Sequence, residues 1–121
     1  VRNLKNVIAM NKLAIYDKLC CFIILSILKK GGEVALSSHF RHLFANLLGI
    51  INDASYLISV MANDELVAHQ GLFENTKLYQ KITITDKGIK YLEENLNQVI
   101  IPENEFNEVH LDRIKSILKH Q

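Results

Sequence analysis

The segment Lys77–Leu96, KLYQKITITDKGIKYLEENL, changes its period halfway along. Up to Thr85 the residues alternate, with Leu78, Gln80, Ile82 and Ile84 on one side and Tyr79, Lys81 and Thr83 on the other. That alternation predicts a half-buried strand. After Asp86, Ile89, Leu92 and Leu96 fall at helical spacing, and Asp86 is the expected N-cap. A strand therefore runs directly into a helix through TDKG, and the fold must accommodate that join.

Upstream, ELVAHQGLF is a second β-rich run, separated from the first by ENTK. Two such runs about an Asn/Thr/Lys tip predict a hairpin. Before it, DASYLISVMAND carries Ala54, Leu57, Ile58 and Met61 on one stripe, with Asn52 as its expected cap. EVALSSHFRHLFANLLGIIN predicts another helix, capped by Ser37 or Ser38 and ended by Gly49. Its inward residues are expected to be Phe40, Leu43, Phe44, Leu47 and Leu48. The connection between these two helices is of helix-turn-helix length.

DKLCCFIILSILKKGG has Asp17 near its start, Lys29 and Lys30 in its last turn, and Gly31-Gly32 as a stop. It is apolar nearly all round, which predicts a central helix. Its apolar run, Leu19 to Leu28, is half the length of about 20 residues that a membrane span needs, and it lacks the pattern of a signal peptide. At the two ends, Leu4, Val7, Ile8 and Met10 suggest an amphipathic helix from Asn3 to about Tyr16. Phe106, Val109, Leu111, Ile114, Ile117 and Leu118 suggest another, after Pro102 closes the helix before it.

The chain has 121 residues, 49% of them apolar, with one proline, five glycines and a net charge of +1. This composition indicates one folded, helix-rich domain rather than a disordered chain, and with the predicted hairpin the expected class is α+β, mostly helical. It gives no overall basic field to draw the protein to nucleic acid or membrane. Cys20 and Cys21 are adjacent in an apolar run, which predicts buried, inert thiols and a cytoplasmic setting. His39 and His42 lie three apart, but no cysteine or carboxylate completes a metal-ligand spacing. There is no glycine-rich phosphate loop, nucleophile elbow or HExxH helix, so neither an enzyme nor a cofactor is expected.

The order helix, helix, turn, helix, hairpin, helix, helix resembles the winged helix-turn-helix regulators, especially small archaeal, phage and plasmid ones. LLGI (Leu47–Ile50) resembles the turn between the motif helices. ISVMANDELV (Ile58–Val67) resembles a recognition helix entering the first wing strand. ITITDKGIKYLEE (Ile82–Glu94) resembles the second wing strand and the helix after it. The resemblance covers residues 17–99 and implies a winged-helix core with a two-stranded wing. Residues 1–16 and 103–121 are flanking helices, expected to be dimerisation elements within a single domain of residues 1–121.

The implied function is sequence-specific binding of double-stranded DNA by a homodimeric transcriptional regulator. The alternatives are a plasmid-partition adaptor and a winged-helix module that binds protein instead. By this resemblance Asn52, Ser55, Tyr56 and Ser59 face the DNA from the third helix, with Tyr56 on a phosphate or a thymine methyl. Ser38 and Arg41 on the helix before it, and Asn75, Lys77 and Lys81 on the hairpin, meet the backbone; Lys12 and Lys18 add charge. Two features depart from the family pattern. Glu65 stands where glycine usually precedes the leucine that opens the wing, with Asn63 and Asp64 ahead of it as residues that tolerate a left-handed turn. Between Arg41 and Lys77 there is no Lys or Arg, while Asp53, Asp64 and Glu65 bracket the third helix. Phosphate neutralisation dominates DNA affinity, so that acidic bracket favours the protein-binding alternative.

Overall fold

The run Leu19 to Leu28 is the axis of the fold, because it has no side that can face water. All of it but Ile27 is buried. The computed structural model describes residues 7–119, in the order α1 (Ile8–Asn11), α2 (Ile15–Gly31), β1 (Glu33–Leu36), α3 (Ser38–Leu43), α4 (Ala54–Asn63), β2 (Val67–Ala68), β3 (Gln80–Ile84), α5 (Asp86–Asn95) and α6 (Glu108–Lys119). Helix α2 ends as its glycines predict, with Gly32 at φ 90° donating its N–H to the Leu28 carbonyl. The helices and one antiparallel sheet enclose a single core in which Phe40, Phe44, Leu57, Ile82, Leu92 and Ile114 are buried together.

The sheet has three strands rather than the two expected of a hairpin alone, in the order β1-β3-β2. The extra strand is EVAL, read from sequence as the approach to a helix. It pairs antiparallel with β3 through Glu33↔Thr83, Val34↔Ile82 and Leu36↔Gln80. Four residues are too short to declare a period; pairing with β3 makes them a strand. On the other edge, β2 pairs with β3 through Val67↔Ile84 and Ala68↔Thr83. The same register resumes at Leu72↔Tyr79 after an interruption. Each side of that interruption carries a left-handed residue, Gly71 (φ 84°) and Lys81 (φ 51°). Ile82 is buried and Lys81 exposed, as the alternation predicts.

The TDKG join is built against the end of α4. Thr85, not Asp86, is the cap: its Oγ1 accepts the Gly88 N–H at 2.9 Å and donates to the Glu65 carbonyl at 2.6 Å. The Thr85 N–H donates to Leu66 O (3.1 Å), and Lys87 Nζ donates to Asp64 O (2.7 Å). A side chain at Gly88 would run into the Leu66 carbonyl and the Ile84 side chain, so glycine is what lets α5 start this close to β2. The α4 end is a Schellman turn, with Leu66 N–H on Met61 O and Glu65 N–H on Ala62 O. The left-handed residue of this turn is Glu65 itself (φ 62°), not Asn63 or Asp64.

Several helix details differ from the sequence reading. Helix α3 widens into a π turn over Phe44–Leu48, whose larger circumference keeps Phe40, Phe44 and Leu48 inward and turns Leu47 out. Gly49 (φ 64°) ends it against the His110 ring. Neither Ser37 nor Ser38 gives α3 a side-chain cap. Asp53, not Asn52, caps α4, its Oδ1 accepting the Tyr56 N–H at 3.1 Å. Helix α5 ends at Asn95 and passes into a 3-10 turn, well before Pro102.

The expected helix from Asn3 lies partly outside the described residues, as does Leu4. Within them α1 is a single turn, separated from α2 by Lys12, Leu13 and Ala14. Asp64 holds that turn: its carboxylate accepts the N–H groups of Ala9 (3.0 Å) and Met10 (2.7 Å). Met10, Ile114 and Leu118 are buried within the chain, and Tyr16 stacks on Phe106 with ring centroids 5.9 Å apart. The apolar stripes that suggested a dimer are therefore covered in large part by the chain's own core.

Candidate nucleic-acid interface

Local hydrogen bonds fix three elements around one groove. Ser37 sits buried at the start of α3. Its N–H donates to Tyr79 O (2.9 Å), and its Oγ accepts the Tyr79 N–H (3.1 Å) and pairs with Ser55 Oγ (2.8 Å). The hairpin tip is held by Thr76, whose Oγ1 donates to Phe73 O (2.7 Å) and accepts the Leu78 N–H (3.1 Å). Asn75, in the left-handed conformation at φ 59°, turns the chain there. His69 packs against Tyr79 with centroids 4.4 Å apart and the rings tilted by 42°, and its Nδ1 accepts the Gly71 N–H.

Between these elements runs an open groove of about 670 Å³. Seven sequence-predicted residues line it together: Ser38, Arg41, Asn52, Ser55, Tyr56, Ser59 and Lys77. Asn75 and Lys81 are exposed on the hairpin but do not line it, nor do Lys12 and Lys18. Its lining also includes Ile51 and Leu72, neither singled out from the sequence. Ile51 is 92% exposed and Leu72 51% exposed, so the groove has apolar as well as cationic walls.

The side chains differ in what they have left to offer. Tyr56 is 54% exposed and presents its ring. Ser59 Oγ donates to Tyr56 O at 2.6 Å, and Ser55 Oγ is engaged with Ser37. The amide atoms of Asn52 are buried without a hydrogen-bond partner. The Cys20 thiol lies beside them in a geometry that falls short of a bond. Burial holds that thiol in its neutral form, raising it from 9.0 to about 11 against a smaller opposing effect of the Asn52 amide. Cys21 is pushed up well above the ordinary range, again by burial first.

The acids around α4 each have a place within the fold. Asp53 is spent on capping, Asp64 is buried on the α1 N–H groups, and Glu65 belongs to the turn that leaves the helix. Asp53 alone of the three lines the groove. Cations are correspondingly few, Arg41 and Lys77 being those on its walls. Among the described residues no three His, Cys, Asp or Glu groups come together as a metal site, and no helix is long and apolar enough to cross a membrane.

Ser37 was missed as a site residue because its partners lie 18 and 42 positions away. Ile51 carried little signal, because it follows Ile50 in the same turn and only the structure separates the buried Ile50 from the exposed Ile51. Comparison with protein-family models, with curated proteins and with solved structures finds no match to this chain. The chemistry of the groove must therefore carry the functional argument.

Proposed function

We propose that the chain is a winged helix-turn-helix module that binds double-stranded DNA through this groove, as a regulator of transcription or a partition adaptor. The observation that carries the reading is the convergence of Arg41 from α3, Tyr56 and Ser59 from α4, and Lys77 from the hairpin on one open face. The element order supports it: a strand between the first two long helices, a short turn between α3 and α4, and a hairpin that returns through the middle of the sheet. Helix α4 then enters the major groove, α3 crosses the backbone, and the hairpin lies alongside. Two cations per groove give few phosphate contacts, so useful affinity needs two copies on one duplex.

The test is fluorescence anisotropy of a labelled random-sequence duplex at low salt, followed by selection of the bound fraction. Binding that weakens with salt and enriches a sequence supports the proposal. A second reading, a protein-binding winged helix, is favoured by the exposed Ile51, Leu72 and Phe73 beside so few cations. It replaces the first if the protein binds no duplex at low salt.

A further inference from the structure

We infer that the groove selects DNA by the C5-methyl of thymine rather than by hydrogen bonds to base edges. This rests on the DNA-binding reading above and names the feature of the duplex that the site reads. Guanine is recognised by bidentate Arg or Lys, and adenine by bidentate Asn or Gln. From Ile51 through Ser59, the turn and first half of α4, there is no Arg, Lys or Gln, and the single Asn, Asn52, has its amide buried. Arg41 projects from α3, the helix that crosses the backbone in this arrangement.

The hydroxyls have little left to give. Ser55 Oγ is engaged with the buried Ser37 hydroxyl, and Ser59 Oγ donates its proton to the Tyr56 carbonyl. Apart from Asp53, whose Oδ1 caps α4, and the Tyr56 hydroxyl, what the face presents outward is apolar: the Ile51 side chain, 92% exposed, and the Tyr56 ring. Both line the groove. An isoleucine so exposed contributes little to the core, yet it stands at the entry to the helix that faces the duplex. The apolar group offered by the bases in the major groove is the thymine methyl. Burying one methyl changes affinity by about fourfold.

The experiment compares two duplexes that differ in that methyl alone: an alternating adenine–thymine duplex and the same duplex with deoxyuridine replacing thymidine. Competition anisotropy with the wild type should show the deoxyuridine duplex about fourfold weaker for each methyl contacted. Ile51→Ala should reduce the difference between the two duplexes while leaving the melting temperature and the salt slope unchanged. Tyr56→Phe should keep it, because the ring and not the hydroxyl makes the contact. Equal affinity of the wild type for both duplexes overturns the inference while the DNA-binding reading stands. Binding to neither duplex at low salt overturns both.

Discussion

Ser37 and Ser55 meet hydroxyl to hydroxyl at 2.8 Å, and the same Ser37 oxygen accepts the Tyr79 N–H at 3.1 Å. One buried side chain thus fixes α3, α4 and the hairpin relative to one another. Its removal strands a half-buried backbone donor, whereas removal of Ser55 leaves Ser37 still bonded to the hairpin. Ser37→Ala should therefore cost about 1–3 kcal/mol, and Ser55→Ala only about 0.5–1.5 kcal/mol. Urea denaturation of both variants measures this. Equal losses would show that the Tyr79 bond contributes nothing.

Gly88→Ala should reverse the usual helix rule. An exposed helical Gly→Ala change gains about 1 kcal/mol from propensity. Here the new Cβ meets the Leu66 carbonyl and Ile84 Cγ1, and the carbonyl belongs to a hydrogen-bonded corner that cannot shift freely. Overpacking of this kind costs about 1–3 kcal/mol, so the net change should be destabilising. A melting temperature raised by the substitution would mean that α5 can slide away from β2.

The TDKG join was legible because its chemistry is local: alternation before it, helical spacing after it, a small polar cap and a glycine. Even so, the cap was misplaced by one residue, since Thr85 and Asp86 offer the same oxygen at adjacent positions. The central helix was legible for a cruder reason, being apolar all round. What the sequence hid was non-local. Strand β1 exists through its pairing with β3, which lies 50 positions away in Glu33↔Thr83. The role of Asp64 was hidden likewise. Read as an acid at a helix end, it is a buried cap for a turn 54 and 55 positions earlier. In the groove, residue types pointed to the face of α4 that lines it, but which hydroxyls were already spent depended on tertiary partners.

Asp64→Ala should release the α1 turn. The carboxylate accepts two backbone N–H groups in a buried setting, and losing it leaves both donors without that partner. The expected cost is about 1–3 kcal/mol. Asp64→Asn, which keeps one acceptor, should cost less. Limited proteolysis between Val7 and Ala14 should be faster in Asp64→Ala than in wild type; an unchanged cleavage rate would count against the capping role.

Alkaline pH should weaken the fold. Burial raises the Cys20 thiol from 9.0 to about 11 and the Tyr91 hydroxyl from 10.0 to about 12, and pushes Cys21 up further. The folded chain thus keeps protons that the unfolded chain gives up. Stability from these groups is complete below their unfolded pKa values, near pH 9 for the thiols, and is lost as pH rises through the folded ones. The slope is at most about 1.4 kcal/mol per pH unit for each group that titrates. Urea midpoints measured at rising pH should fall above about pH 9. In the Cys20→Ala/Cys21→Ala double variant the fall should be shallower, whatever its absolute stability. An identical pH slope in both proteins would rule out the thiols as its source.

Arg41 and Lys77 both line the groove, one from α3 and the other from the hairpin. Neither forms an ion pair among the described residues. If both neutralise phosphates, Arg41→Ala and Lys77→Ala should each weaken binding to specific and scrambled duplexes alike. Each should also reduce the slope of log K against log salt by about 1 per chain. Lys81→Ala is the discriminating control, because Lys81 is exposed on the same hairpin but outside the groove. Its slope should stay close to wild type if the groove itself holds the backbone. A loss at Lys81 equal to that at Lys77 would move the contact surface from the groove to the outer face of the hairpin. The wild-type slope should be shallow, since Asp53 offsets part of what two cations supply. A steep slope, like that of a strongly basic regulator, would require cations outside the groove and would displace this assignment of the interface.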